Sequence, residues 1–258
     1  MNVKIEKILK KKNKSKIICL TSYSKNISEV LDRHTDIILV GDSLGSVLYS
    51  YKTTKKVTLK MIIEHSKSVR LGVKQSLMVV DMPYNSYKSK SEALKNAKQI
   101  IKYSKADAVK LEGGKKIVDI IKYLVKNKIS VMGHLGILPQ SQIGKFRYKG
   151  KTILERKNLV KDALLLQNSG VFSIVLECIE TKLAKIITSK LKIPTIGIGS
   201  SVNCDGQVLV TDDLLGLNLT SIKFVKKFYD IRKHFDVAIR KFCKEVKSKK
   251  YPSKKFSY

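Results

Sequence analysis

Five short apolar runs in this chain each close on a polar residue: Ile37–Asp42, Ser76–Asp81, Ala108–Glu112, Ile129–His134 and Ser173–Glu177. A run of four to eight apolar residues without polar alternation reads as a strand buried on both faces, as in a parallel sheet. The closing residue then sits at the strand's carboxyl end. In a closed parallel barrel all such ends share one mouth. That topology would gather Asp42, Asp81, Glu112, His134 and Glu177 around a single cavity, a set suited to a hard cation.

The stretches between the runs carry helical periodicity. Thr58–Leu71 puts Met61, Ile62, His65 and Val69 on one face behind a Thr58 N-cap, and Ser91–Tyr103 does the same with Leu94, Ala97 and Ile101. Thr152 and Glu155 form a capping box, and Asn168-Ser169-Gly170 is a helix stop. Lys16–Thr21, Thr195–Gly199 and Gln207–Thr211 supply three further strands, and Val225–Lys247 reads as a long basic helix. Eight strands alternating with helices predict one (β/α)8 barrel domain over residues 1–258, led by a short N-terminal helix. A doubly wound open sheet is the alternative.

The formal net charge is +31, carried by 46 lysines and only six arginines. A nucleic-acid reader favours arginine, whose planar fork matches phosphates and base edges. Here the lysines are spread over helix faces and both ends, which fits a drifted composition better than a binding stripe. No nucleic-acid partner and no membrane is expected, because no apolar stretch approaches the roughly 20 residues of a spanning helix. The N-terminal stretch lacks the apolar region of a secretory signal, so a cytoplasmic protein is expected. Cys19, Cys178, Cys204 and Cys243 form no C-x-x-C pair and read as free thiols.

Asp42, Asp81 and Glu112 lie 39 and 31 residues apart, each interval room for one strand–helix unit. Three carboxylates at one mouth repel one another unless a cation or protons intervene. Mg²⁺ suits such ligands and keeps sites open for substrate oxygens. Each acid could instead cap the helix that follows it. Ser43 stands between Gly41 and Gly45, where backbone N–H groups can approach an anion. Lys110 shares a strand face with Glu112 and could pair a substrate carboxylate. His134 is a proton shuttle or a satisfied core histidine. Glu177, with no cation beside it in sequence, suits a general base.

Taken together, DIILVGDSLGSV (36–47), VTLKMIIEH (57–65), VVDMPYNSY (79–87), ADAVKLEGG (106–114), VMGHLGILPQS (131–141), VLECI (175–179), IPTIGIGS (193–200), CDGQVLV (204–210), DLLGL (213–217) and YPS (251–253) resemble the ketopantoate hydroxymethyltransferase family in order along the chain. The resemblance implies a TIM barrel of the phosphoenolpyruvate/pyruvate superfamily, assembled as a homodecamer. It implies transfer of a hydroxymethyl group from 5,10-methylenetetrahydrofolate to 3-methyl-2-oxobutanoate, the first step of pantothenate synthesis, with one Mg²⁺ per subunit. By the same resemblance Asp42, Asp81 and Glu112 hold the metal, Ser43 and Lys110 join Asp42 and Asp81 in binding the keto acid, and Glu177 accepts the proton. A lyase or mutase of the same superfamily is the competing reading, but its K-x-x-G-x-C-G loop is missing. The chain also departs from the family pattern. The 142–151 loop is about two residues short and lacks Gly-Gly-Tyr. Thr21-Ser22-Tyr23-Ser24 replaces Thr-Ala-Tyr-Asp, and Thr211-Asp212-Asp213 lacks the usual preceding His.

Overall fold

A computed structural model describes residues 2–141, 147–218 and 222–258. The N-terminal helix α1 spans Val3–Lys10, and eight parallel strands follow: β1 (Ile17–Thr21), β2 (Ile37–Val40), β3 (Leu77–Asp81), β4 (Ala108–Glu112), β5 (Val131–Gly136), β6 (Ser173–Glu177), β7 (Thr195–Ile198) and β8 (Gly206–Leu209). They close in sequence order, with β8 pairing back onto β1. The closed barrel is therefore the architecture, and the open-sheet alternative falls. Between strands lie α2 (Lys25–Leu31), α3 (Leu44–Tyr49), α4 (Leu59–Gly72), α5 (Lys90–Ser104), α6 (Val118–Lys126), α7 (Ile153–Asn168) and α8 (Thr181–Lys190). The strand–helix alternation lapses once, between β7 and β8, where residues 199–205 are too few for a helix to cross back over the sheet.

Contacts divide the chain into two compact units, residues 1–210 and 211–258. The first holds the whole barrel. The second contains α9 (Thr211–Leu214) and α10 (Ile231–Lys247). The long basic helix therefore starts six residues later than its periodicity suggested. Thr211, read as the end of the last strand, instead opens α9. Among the described residues no helix is long and apolar enough to cross a membrane.

Strand alternation sorts the barrel's side chains into two cores. Ile38, Val40, Met78, Val80, Val109, Leu111, Ile174 and Leu176 point outward and pack beneath the helices. Ile17, Cys19, Ile37, Leu39, Leu77, Val79, Ala108, Met132 and Val175 point into the lumen, where Ile5 and Ile8 of α1 join them. Apolar packing thus fills most of the lumen's lower layers, with the small Ser173 among them, and the charged residues sit at its upper end. Local capping follows the sequence: Thr58 Oγ1 accepts from Met61 N–H, Thr152 Oγ1 accepts from Glu155 N–H, and Gly170 takes φ +91° past the end of α7. Cys19, Cys178 and Cys204 are buried and all four cysteines are free.

Asp32, at the end of α2, fixes the turn between α4 and β3. Its carboxylate accepts from the backbone N–H groups of Lys74, Gln75 and Ser76 at 2.8–3.1 Å. Burial opposes its charge, but the donated hydrogen bonds win and hold its pKa below the ordinary value. Such a group contributes stability above its unfolded pKa of about 3.9 and loses it as pH falls through the lower folded value. Asp32→Ala should therefore cost about 1.5–3 kcal/mol at pH 7, the scale of a hydrogen bond to a charged group. The deficit should shrink below about pH 4, which urea melts at pH 7 and pH 3.5 would test. An equal deficit at both would show that the charge contributes nothing.

Candidate active site

The lumen parity set by Leu77 and Val79 continues to Asp81. That of Ala108 continues to Lys110 and Glu112, that of Met132 to His134, and that of Ser173 and Val175 to Glu177. Ladder register brings these residues level: Asp81 is opposite Lys110, Glu112 opposite His134, and Glu177 opposite Gly136. Two expected positions shift. β2 stops at Val40, so Asp42 lies two residues past the strand, where its N–H donates to Asp81 Oδ2 at 3.0 Å. His134 does not end its strand. β5 pairs with β6 through Gly136, so the imidazole sits a layer inside the mouth.

The five strand-end residues converge, and Lys110 is a sixth in their midst. Lys110 Nζ lies 3.1 Å from Asp81 Oδ1 and 3.2 Å from His134 Nδ1. His134 Nδ1 stands 3.5 Å from Glu112 Oε1, and its Nε2 stands 3.2 Å from Glu177 Oε2. Ser43 Oγ is 2.8 Å from Tyr23 OH. Glu177 is the most open of the acids, its side chain 18% exposed against 3% for Asp81 and 2% for Glu112.

The cluster's charges are set by burial and by one another. Burial, then Asp81 and Glu112, push the Asp42 carboxyl up to about 8. Burial also raises Asp81, although Lys110 and the Asp42 N–H oppose it. Glu112 goes the other way: burial resists its charge, but His134, Lys110 and the Gln140 N–H hold it below the ordinary range. Burial would discharge Lys110, yet Asp81, Glu112 and Asp42 keep it protonated beyond its usual value. For His134, burial and Lys110 oppose protonation, and Glu112 with Glu177 outweigh them, raising it to about 9. The imidazole thus stands between two glutamates, with the Lys110 ammonium 3.2 Å from its Nδ1 and the carboxylates balancing the positive charge around it.

Asp81 Oδ1 is fully buried without a hydrogen bond. That oxygen faces the Lys110 ammonium at 3.1 Å, and the neighbouring carboxyl groups of Asp42 and Asp81 fit a hard divalent ion. Among the described residues no three His, Cys, Asp or Glu side chains already enclose a common metal position. The donor set matches Mg²⁺, which takes one or two carboxylates and fills its remaining positions with water and substrate oxygens.

A model of the ketopantoate hydroxymethyltransferase family matches residues 2–254. The chain belongs to this family. It is 64% identical over the full length of both chains to the 3-methyl-2-oxobutanoate hydroxymethyltransferase of Pelagibacter ubique. Identity is 42% to the Phenylobacterium zucineum enzyme of the same name, over 95% of this chain and 90% of that one. Solved structures of similar fold include phosphonopyruvate hydrolase complexed with oxalate and Mg²⁺ (TM-score 0.62, 9% identity, 99% and 93% of the two chains) and 2,3-dimethylmalate lyase, a PEP mutase/isocitrate lyase superfamily member (0.62, 12%, 100% and 89%). These show the barrel type and nothing finer.

Sequence reasoning overlooked three polar residues that hydrogen-bond around the cluster and its loops. Gln140 and Tyr87 lie inside the motif stretches but carry no charge to draw notice; Gln140 reaches Asp42 and Glu112, and Tyr87 OH donates to Gln140 Oε1. His65, read as an ordinary helix residue, bonds the Tyr23 carbonyl through Nδ1 at 2.8 Å and Tyr49 OH through Nε2 at 3.0 Å. It thereby steadies the loop that presents Tyr23 to Ser43. The shortened loop falls partly on residues 142–146, which lie outside the described residues.

Gly136 sets how closely β5 approaches the end of β6. Its φ is +103°, and a Cβ there would stand 2.0 Å from the Glu177 carbonyl oxygen, which accepts from Ile137 N–H at 2.9 Å. Gly136→Ala therefore forces both strained backbone and strand separation. We expect about 2–3 kcal/mol of lost stability and a steep fall in turnover, read by thermal melts and steady-state kinetics. Wild-type turnover would show that the Glu177 backbone position is not critical.

Proposed function

We propose that this chain catalyses hydroxymethyl transfer from 5,10-methylenetetrahydrofolate to 3-methyl-2-oxobutanoate, giving 2-dehydropantoate and tetrahydrofolate and opening pantothenate synthesis. The observation that carries the reading is full-length 64% identity to a relative of that name. Atom balance requires one water, because the carbon is added at the oxidation level of formaldehyde and ends as a primary alcohol. Asp42 and Asp81 would hold Mg²⁺, and Glu112 would complete the metal site. The ion, when bound, polarises the keto group and stabilises the negative charge that develops on its oxygen. Lys110 and Ser43 hold the keto acid's carboxylate. Glu177 takes the C3 proton, and His134 orients Glu177 and spreads the charge it gains or loses. Layers of buried apolar side chains beneath the acids keep water from below.

The family resemblance implies a homodecamer, and the composition supports a cytoplasmic enzyme without specific nucleic-acid or membrane partners. The test is metal-dependent conversion of 3-methyl-2-oxobutanoate in the presence of methylenetetrahydrofolate, with the product identified by mass spectrometry. Formation of 2-dehydropantoate that stops with EDTA and returns with Mg²⁺ supports the reading. Cleavage of another 2-keto acid without folate-dependent transfer would replace it with the lyase alternative.

A further inference from the structure

Gln140 is 2% exposed and every polar group of its side chain is engaged. Its Nε2 donates to Asp42 Oδ2 at 2.8 Å and to the Met82 carbonyl at 3.0 Å, while its Oε1 accepts from Tyr87 OH at 2.6 Å. Its backbone N–H donates to Glu112 Oε2 at 3.1 Å. A single residue, four past the end of β5, therefore grips two of the three acids, one just beyond β2 and one at the end of β4.

The partners dictate which way the amide faces. The Met82 carbonyl only accepts, so it requires the NH₂ end. A flipped amide would turn its oxygen on Met82 O and Asp42 Oδ2 together and lose the Tyr87 proton. Tyr87 is a dependable donor here: burial, then the Glu112 charge, raise its pKa above the ordinary phenol value. A neutral amide also adds no charge to a cluster already crowded with carboxylates, which a Glu at 140 would do.

We propose that Gln140 is a positioning residue that holds Asp42 and Glu112 in register for a divalent cation, with Tyr87 fixing the orientation of its amide. The proposal rests on reading Asp42 and Asp81 as the cation's ligands. Groups that orient metal-binding side chains typically change affinity by about 10–100-fold when removed. The side chain of Gln140 also joins the Met82 carbonyl, just past β3, to Asp42, so three strand ends are tied through one amide.

The test titrates Mn²⁺ by electron paramagnetic resonance, without substrate, against wild type, Gln140→Ala, Tyr87→Phe and Asp81→Asn. We expect the Mn²⁺ Kd to rise about 10–100-fold in Gln140→Ala. In Tyr87→Phe, which keeps every donor to Asp42 but leaves Oε1 unpaired, it should rise about fivefold. Saturating Mn²⁺ should bring the Gln140→Ala kcat close to wild type while the metal requirement stays raised. A merely structural defect would leave kcat low at any metal concentration and would overturn the proposal. So would wild-type Mn²⁺ affinity in Gln140→Ala while Asp81→Asn loses binding. Unchanged affinity in Asp81→Asn removes the ligand reading itself. Should Gln140→Ala fail to fold, Tyr87→Phe decides alone, and wild-type affinity there overturns the role assigned to the amide.

Discussion

Glu177→Gln should abolish exchange of the C3 proton of 3-methyl-2-oxobutanoate while leaving the keto acid and the cation bound. The amide has nearly the carboxylate's shape but cannot accept that proton, so the loss should be about 10²–10⁴-fold, the usual worth of a positioned base. Glu177 suits this role better than the other acids because it is free of their mutual entanglement. Asp42 donates its N–H to Asp81, and Glu112 is gripped by Gln140, but among the described residues the charged contact of Glu177 is His134 Nε2 at 3.2 Å. It is also the acid closest to solvent at the mouth, where a substrate arrives. The measurement is proton NMR in D₂O with Mg²⁺ and without folate, following loss of the C3 signal. Omitting folate separates proton removal from carbon transfer. Exchange at the wild-type rate would place the base elsewhere, with His134 the next residue to test.

The barrel was legible because a strand buried on both faces leaves a continuous apolar run, and five such runs ended in polar residues. Their strand-end positions gathered Asp81, Glu112 and Glu177 at one mouth, and parity put Lys110 on the same strand face as Glu112, which is where the structure has them. Two kinds of information were not in the pattern. The first is where hydrogen bonding ends a strand. Asp42 lies beyond β2 and His134 within β5, because ladder length is set by neighbouring strands and not by hydropathy. The second is neutral polar connectivity. Gln140 is 98 residues from Asp42 in sequence and 2.8 Å from it in space, and nothing in its residue type reveals that. The pairing of Glu177 with His134 was hidden for the same reason: a search for a cation next to Glu177 in sequence missed one on the adjacent strand.

Lys110→Met should weaken 3-methyl-2-oxobutanoate binding by about 100-fold and destabilise the fold by about 3–5 kcal/mol, the cost of stripping the partner from a buried charge. The methionine fills similar volume, so the loss isolates the ammonium rather than a cavity. Lys110 is raised above its ordinary pKa by Asp81, Glu112 and Asp42 against the pull of burial. Its stabilisation is therefore complete below the unfolded lysine value of about 10.4 and holds across the neutral range. Without it the carboxylates can restore balance only by taking protons, and Asp42 is already raised to about 8. A carboxylate whose folded pKa is raised contributes stability at low pH and loses it as pH climbs from its unfolded value to the folded one. The gap between wild type and Lys110→Met should therefore be wider at pH 8 than at pH 5, in denaturant melts run with EDTA so that no cation substitutes for the lysine. Arginine at the same position keeps the charge, and should recover stability more than activity, because its planar fork does not occupy the ammonium's place between Asp81 and the substrate. An equal gap at both pH values would show that Lys110 is only a filled volume in the lumen and that the acids balance one another without it.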